Sequence, residues 1–524
     1  MNIQNTNKLI FKNEPQYLLP VFLVISLNFY QYFATDNYIK YLFTDDLWVL
    51  IGSNYESLFE KFFCCSITSP FASLSFQGLY SIIGSDPAFI DTLFVIGQFI
   101  PFSILFLKDI PLTKIEKSFT IIFLLSSPMY LNYSVRPKPY IYEVIVIFII
   151  ANLYFKIKNK KTITIYDFLL LSILTAFSFV ALIGAASCFL LLLLEFINKK
   201  EKIHFSKFGF LTFSTVSTGL LFLANIVKDN SLNTFWSSYF MPLEGGLSLK
   251  IRWLYYSFIR LLSESDTTNL GFSNFSTTLA ILIFFVSILF LIRNEKGLLF
   301  FIFTLFAVSL ILAILQIYPF GGSRTNIYLY SALAISFGYG VSYLLKFKIK
   351  YKSFFMFLIV FLILLSNFYN NTISYGNTTN TLDQDAAGLI IDDIINEDSK
   401  VIVHHGSHWF VGLYLPVEIQ MESIQLFPER ERVLGSGSFS LPAPVILNDK
   451  FIQLCFDFPK TRGENCNEVI EDYLESSGIN NFKFVGFYTE EKDFSSYLKI
   501  FKENNFQVLN KVVEDDMIYY ILAK

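Results

Sequence analysis

The sequence predicts an α-helical polytopic membrane bundle of about eleven spans, N-terminus in and C-terminus out, followed by a small C-terminal α/β soluble domain. Three observations predict it. Charged residues are 16% of the 524-residue chain and hydrophobic residues 53%, whereas soluble chains carry roughly 25% charge. The deficit is uneven: residues 16–370 are apolar blocks separated by short polar stretches, while residues 371–524 read as ordinary soluble sequence. Lysine and arginine gather in alternate connections between the blocks, as in a chain with a fixed orientation in a bilayer. The expected division is therefore a transmembrane domain over 1–372 and an extracytoplasmic α/β domain over 373–524. The net charge of −3 averages two solvents, and no basic run marks a nucleic-acid surface.

A spanning helix needs ~20 mostly apolar residues, because hydrocarbon offers its backbone no partner. Blocks of this kind lie at 17–34, 88–107, 118–132, 140–156, 167–179, 181–197, 208–227, 276–292, 297–317, 325–345 and 353–370, the third and fifth being short. Residues 1–16 are polar, with Lys8 and Lys12, and no small-residue cleavage site follows, so the first block reads as a retained span. With the N-terminus inside, the inner connections hold Lys8 and Lys12, Lys108, Lys114 and Lys117, the Lys156–Lys161 cluster, the Lys199–Lys207 cluster, Arg293 and Lys296, and the Lys346–Lys352 cluster. The outer segments hold fewer cations in longer loops: Lys40, Lys61, Arg136, Lys138, Lys228, Lys250, Arg252, Arg260 and Arg324. An odd number of spans then places the C-terminal domain outside a plasma (inner) membrane.

Two outer loops are long, 35–87 and 228–275, and both contain amphipathic stretches. In the first, Leu47, Ile51, Tyr55, Leu58 and Phe62 recur at steps of three and four, with Ser53, Asn54, Ser57 and Glu60 between them. In the second, Leu249, Trp253, Tyr256 and Ile259 repeat similarly beside Lys250, Arg252 and Arg260. Such helices lie in the interface, either as lids packed on the bundle or against a substrate.

Three outer motifs carry chemistry. Asp45 and Asp46, in Phe43-Thr44-Asp45-Asp46-Leu47-Trp48, sit just past the first span. An aspartate at a helix start is a cap favoured by the dipole. A carboxylate at the membrane surface also suits a general base acting on an acceptor hydroxyl. Arg136 and Lys138, in the stiff turn Arg136-Pro137-Lys138-Pro139-Tyr140, break the inside bias. Fixed cations there suit phosphate, with arginine offering a two-pronged fork, or they reach outward to lipid headgroups. In Tyr318-Pro319-Phe320-Gly321-Gly322-Ser323-Arg324 the helix is broken, and Arg324 is the only charge between Lys296 and Lys346. An ionisable group at the edge of an uncharged pair of spans is a functional candidate. One acidic and two cationic clusters on one side of the membrane suit transfer of a group from a phosphate-bearing lipid, the cations holding the leaving phosphate and the carboxylate activating the acceptor.

In these motifs and their order the chain resembles the GT-C superfamily of integral-membrane glycosyltransferases, which includes protein mannosyltransferases and aminoarabinose transferases. The resemblance covers residues 10–370: the acidic pair Asp45-Asp46, the interfacial helix after it, Ser69-Pro70-Phe71 leading into Leu79-Tyr80, the Arg136–Tyr140 turn and the Tyr318–Arg324 loop. It implies a polyprenyl-phosphate sugar as donor and inverting hexosyl or pentosyl transfer on the outer face to a lipid, glycan or protein acceptor. Asp45 would be the catalytic base, with Asp46 where relatives often carry Glu. Arg136, Lys138, Tyr318 and Arg324 would contact the donor phosphate. Many relatives have His-Pro-Pro where this chain has Ser69-Pro70, so the resemblance leaves the sugar open. Some relatives bind a divalent metal through the acidic motif and others need none; no other cofactor is implied.

After a polar linker at 377–383, Asp385–Asn396 reads as a helix, Lys400–His404 and Asn481–Tyr488 as strands, Phe494–Asn504 as a helix, and Phe506–Val513 with Met517–Leu522 as a closing hairpin. His404, His405 and His408 cluster, but three histidines without a fourth ligand read as a strand-end polar group before they read as a zinc site. Cys455 and Cys466 are a candidate disulfide: the ten residues between them include Pro459 and Gly463, and an outer location is oxidising. Two other functions suit such a chain: a non-enzymatic transporter or lipid carrier, and a polysaccharide polymerase or ligase. A transporter should show inverted repeats and charges near midspan. No internal repeat is visible, and the charges sit at the ends of the blocks.

Overall fold

A computed structural model describes residues 18–34, 69–84, 86–159, 161–199, 239–263, 273–321 and 324–344 of the apolar part. In the C-terminal part it describes 400–403, 445–447, 451–453, 478–487, 491–514 and 517–524, with a few single positions besides.

The described residues of the apolar part are helical. In chain order the helices are α1 (Leu19–Ala34), α2 (Pro70–Ile83), α3 (Asp86–Phe99), α4 (Ser103–Phe106), α5 (Lys114–Ser126), α6 (Pro128–Ser134), α7 (Tyr140–Lys158), α8 (Ile165–Phe177), α9 (Phe179–Lys199), α10 (Leu247–Ser263), α11 (Ser273–Asn294), α12 (Lys296–Ile314) and α13 (Tyr330–Leu344). Short 3-10 turns join α3 to α4 (Ile100–Phe102) and lead into α13 (Arg324–Leu329). Among the described residues, four stretches are long and apolar enough to cross a membrane: Pro87–Phe106, Tyr140–Lys158, Lys296–Ile314 and Thr325–Leu344. Shorter apolar helices include Leu19–Phe33, Phe71–Ile83, Ile165–Phe177 and Phe179–Leu194. The large apolar side chains exposed on these helices, such as Phe22, Ile173, Phe300 and Ile311, suit hydrocarbon as their solvent.

Three details differ from the sequence pattern. The block at 118–132 is two helices meeting at Ser127, whose side chain caps α6 by accepting from Tyr130 N at 3.1 Å. A broken helix frees carbonyls that hydrocarbon cannot satisfy. Here Asn28 Nδ2 donates to Leu125 O at 2.9 Å and to Gln98 Oε1 at 2.8 Å. The blocks at 167–179 and 181–197 meet at Ser178 with no loop between them. Within the stretch read as an outer loop, Pro70–Ile83 is an apolar helix. The expected amphipathic helix in the second long loop is α10. The blocks at 208–227 and 353–370, the Asp385–Asn396 helix, the histidine cluster and both cysteines of the candidate disulfide lie outside the described residues, as does most of the Leu47–Phe62 stretch.

α13 is the central helix, buried on every side from Tyr330 to Ser342. It packs on α5 through small residues: a β-carbon on Gly338 would meet Glu116 O at 2.4 Å. Small residues let membrane helices approach backbone to backbone. Gly184 of α9 does the same against α7, where a β-carbon would meet Ile147 Cδ1 at 2.8 Å.

In the C-terminal part the described residues form a six-stranded sheet, comprising β1 (Lys400–Val403), β2 (Val445–Leu447), β3 (Phe451–Gln453), β4 (Asn481–Phe487), β5 (Gln507–Glu514) and β6 (Met517–Ala523), in the order β2-β3-β1-β4-β6-β5. β1 runs parallel to β3 and β4, and the remaining pairs are antiparallel. Helix α14 (Glu491–Glu503) lays Phe494, Tyr497, Ile500 and Phe501 against Phe482, Phe484 and Tyr520. The β5–β6 hairpin, β1, β4 and α14 follow the pattern read from sequence. β2 and β3 do not, because three residues each are too few to show alternation.

Candidate functional site

Three breaks in the helices converge at the end that the charge pattern assigns to the outside. The first is the turn between α6 and α7. Lys138 N donates to Arg136 O at 2.7 Å, and Pro139 is the N-cap of α7. Two prolines fix the backbone on either side of Lys138. The Arg136 guanidinium lies 5.4 Å from the centroid of the Tyr133 ring, which packs edge-on against Tyr140 at 5.2 Å. A stacked arginine keeps its charge in one place. Lys138 is buried, at 8% exposure, which is unusual for a lysine and suits an enclosed anion better than a solvated surface.

The second break is Ser178, between α8 and α9. Its backbone N–H still donates back to Leu174 O at 3.0 Å, and its own carbonyl accepts from Ala181 N at 3.1 Å, so one residue ends a helix and begins the next. Its hydroxyl donates to Glu143 Oε1 at 2.7 Å and accepts from Val180 N at 3.1 Å. Ser69, at the position where the sequence resemblance sets a histidine in many relatives, donates from Oγ to Ala176 O and so ties the start of α2 to this break.

The third break is the stretch from Leu315 to Arg324 after α12. The Tyr318 hydroxyl donates to Thr325 O at 3.0 Å, closing the loop across its base. The Tyr318 ring stacks on Phe179 at 5.1 Å and meets Tyr328 edge-on at 6.3 Å. Burial pushes the Tyr318 phenol well above its usual pKa, and the charge of Glu143 adds to the rise, so it works as a neutral hydroxyl. Asn326 Nδ2 donates to Pro319 O at 3.1 Å, and Phe320 N donates to Tyr239 O at 3.1 Å. Arg324 begins the 3-10 turn that these bonds hold.

Helix α10 lies against this loop. Trp253 and Phe258 pack on Phe320, with centroids at 6.2 and 5.4 Å. Its other side exposes Leu247, Ile251 and Tyr255 next to Lys250 and Arg252, an arrangement that suits the headgroup boundary of a bilayer.

Of the residues singled out from sequence, the structure therefore brings Arg136, Lys138, Tyr318 and the backbone of Arg324 to one end of the bundle. Asp45 and Asp46 lie outside the described residues. Among the described residues, no group of three or more His, Cys, Asp or Glu side chains is arranged to hold a metal ion. Sequence reasoning passed over Glu143. It is buried at 4% exposure in the first turn of α7. It is the only carboxylate of that helix, and a lone acid inside an apolar span is a signal in its own right.

No protein-family model matches this sequence, and no curated protein matches it. The fold does have solved counterparts. ArnT from Cupriavidus metallidurans bound to undecaprenyl phosphate superposes with a TM-score of 0.52 at 10% identity, covering 96% of this chain and 97% of that one. ArnT in the apo state gives a TM-score of 0.49 at the same identity and coverage.

Proposed function

We propose that this chain is a membrane glycosyltransferase that moves a sugar from a polyprenyl-phosphate donor to an acceptor on the outer face of the membrane. One observation carries the reading: Arg136, buried Lys138 and the loop that leads into Arg324 meet at one end of an apolar bundle. A phosphate on a lipid is the ligand that needs fixed cations at the mouth of a hydrophobic body. The fold is one in which a solved protein binds undecaprenyl phosphate, and the order of motifs resembles membrane glycosyltransferases.

In this reading an acceptor hydroxyl attacks the anomeric carbon of the sugar. The carbon–oxygen bond to phosphate breaks, and the polyprenyl phosphate leaves with the electron pair. Asp45 takes the proton of the attacking hydroxyl, with Asp46 beside it. Arg136, Lys138 and Arg324 stabilise the negative charge that grows on the leaving phosphate. Tyr318 shapes the loop that presents Arg324, because its own O–H is already given to Thr325 O. Attack opposite to the leaving phosphate inverts the anomeric centre. Should a divalent metal bind at the acidic pair, its charge would supplement the cations at the phosphate. The C-terminal sheet domain sits on the outer side in this topology.

The test is binding of undecaprenyl phosphate to the purified full-length protein, with undecaprenol as the phosphate-free control. Ligand that binds only the folded state raises the unfolding midpoint with concentration. Stabilisation by the phosphate lipid alone is expected. Equal effects of both lipids, or no effect of either, would overturn the reading.

A further inference from the structure

We propose that Glu143 lines the donor site and presents its Oε2 atom to a hydroxyl of the sugar that the polyprenyl phosphate carries. This rests on the donor reading above and assigns a second, acidic subsite beside the cationic one.

The geometry is specific. Glu143 Oε1 is engaged by Ser178 Oγ at 2.7 Å, while Oε2 is buried and has no protein partner. A buried carboxyl oxygen with nothing to bond is costly, and native structures almost always satisfy such an atom. The nearest charges of opposite sign on its own segment are Arg136 and Lys138, yet the Glu143 side chain is bonded to Ser178 instead. The cations suit a phosphate, and the acid suits a proton-bearing group attached to it.

The position is also where a head group would sit. Glu143 lies one helical turn beyond Pro139, so it is inward of the cationic turn along α7. Its neighbours come from the other two breaks: Ser178 bonds it, the 3-10 turn Arg324–Leu329 packs along α7, and the Tyr318 and Tyr328 phenols are near enough to feel its charge. Aromatic walls with one well-placed polar atom are the usual lining of a site that orients a small polar ligand.

The test uses full-length protein in nanodiscs and dicyclohexylcarbodiimide, which modifies carboxyl groups in apolar surroundings. Binding of undecaprenyl phosphate is followed separately by native mass spectrometry. The carbodiimide should modify Glu143, located by peptide mass, and E143Q should lose that adduct. Prior saturation with undecaprenyl phosphate should slow modification of Glu143 by about five-fold or more, because the bound lipid covers the approach. Bound lipid with an unchanged rate at Glu143 overturns the inference. So does a Glu143 that never reacts while other carboxyls of the protein do, since Oε2 is then sealed in packing. A lipid that fails to bind at all overturns the donor reading itself, and this inference with it. E143Q keeps an acceptor for Ser178, so its unfolding midpoint should stay near wild type. A large drop in that midpoint, with no lipid protection in the wild type, marks a residue that only supports the fold.

Discussion

Gly321 and Ser257 approach more closely than any side chain at 321 would allow. A β-carbon on Gly321 would lie 2.4 Å from Ser257 Cβ, 2.6 Å from its Cα and 2.8 Å from its carbonyl oxygen. Gly321 also has φ +95, which L side chains rarely adopt. The interfacial helix α10 is thereby locked backbone to backbone onto the loop that leads to Arg324. Gly321→Ala is expected to destabilise the protein by roughly 2 kcal/mol or more and to weaken undecaprenyl phosphate binding. Thermal unfolding and lipid titration check this. Adding Ser257→Gly should not restore it, because the Cα and carbonyl contacts remain. Gly246→Ala is the control: a methyl there would find nothing within 4 Å, and the midpoint should stay close to wild type.

Arg324 and Arg136 are predicted to use the guanidinium fork on the donor phosphate. Lysine keeps the charge but loses the paired geometry. Arg324→Lys and Arg136→Lys should each weaken undecaprenyl phosphate binding by about tenfold, a loss of ~1.4 kcal/mol, with unfolding midpoints little changed. Retained affinity in Arg324→Ala would remove Arg324 from the site.

Asp45→Asn should abolish sugar transfer while leaving insertion and lipid-phosphate binding intact. The amide matches the carboxylate in size but cannot take a proton from the acceptor. Near-normal turnover in that variant would return Asp45 to the role of a helix cap.

Glu295, between α11 and α12, gives a pH signature. Burial is the main cause that lifts its carboxyl above the usual range; the negative Glu116 adds to this, and Lys158 partly opposes it. A raised folded-state pKa means stability present at low pH and lost as pH rises through that value. The unfolding midpoint should therefore fall as pH climbs from below 4.5. Glu295→Gln should flatten that slope in a melting series across acidic pH.

Cys455 and Cys466 are predicted to be bridged. Closing a loop of this size is worth roughly 3 kcal/mol on the chain-entropy account. Neither thiol should react with maleimide in unreduced protein, and both should after reduction. Reaction of both before reduction would count against the bond and against the outer location of the domain.

The class of the protein is legible in the chain alone. Hydrocarbon requires long apolar helices and punishes charge, so the apolar blocks and their lysine-rich connections can be read one at a time. The Arg136–Tyr140 turn and the Tyr318–Arg324 loop stand out for the same reason, as prolines, glycines and cations where a plain span has none. The hairpin Gln507–Glu514 with Met517–Ala523 is legible because its pairing is local. Which breaks meet is a matter of packing instead. Ser178 looks like any serine in an apolar run, and its role emerges only when its hydroxyl reaches Glu143, 35 positions away. Glu143 itself reads as one acid near a helix start until its burial and its partnerless oxygen are seen. The Asn28 bond to the freed Leu125 carbonyl, 97 positions apart, is of the same kind. Periodicity and hydropathy are properties of neighbours along the chain, whereas a site depends on contacts between distant segments, and those are set by how the helices pack.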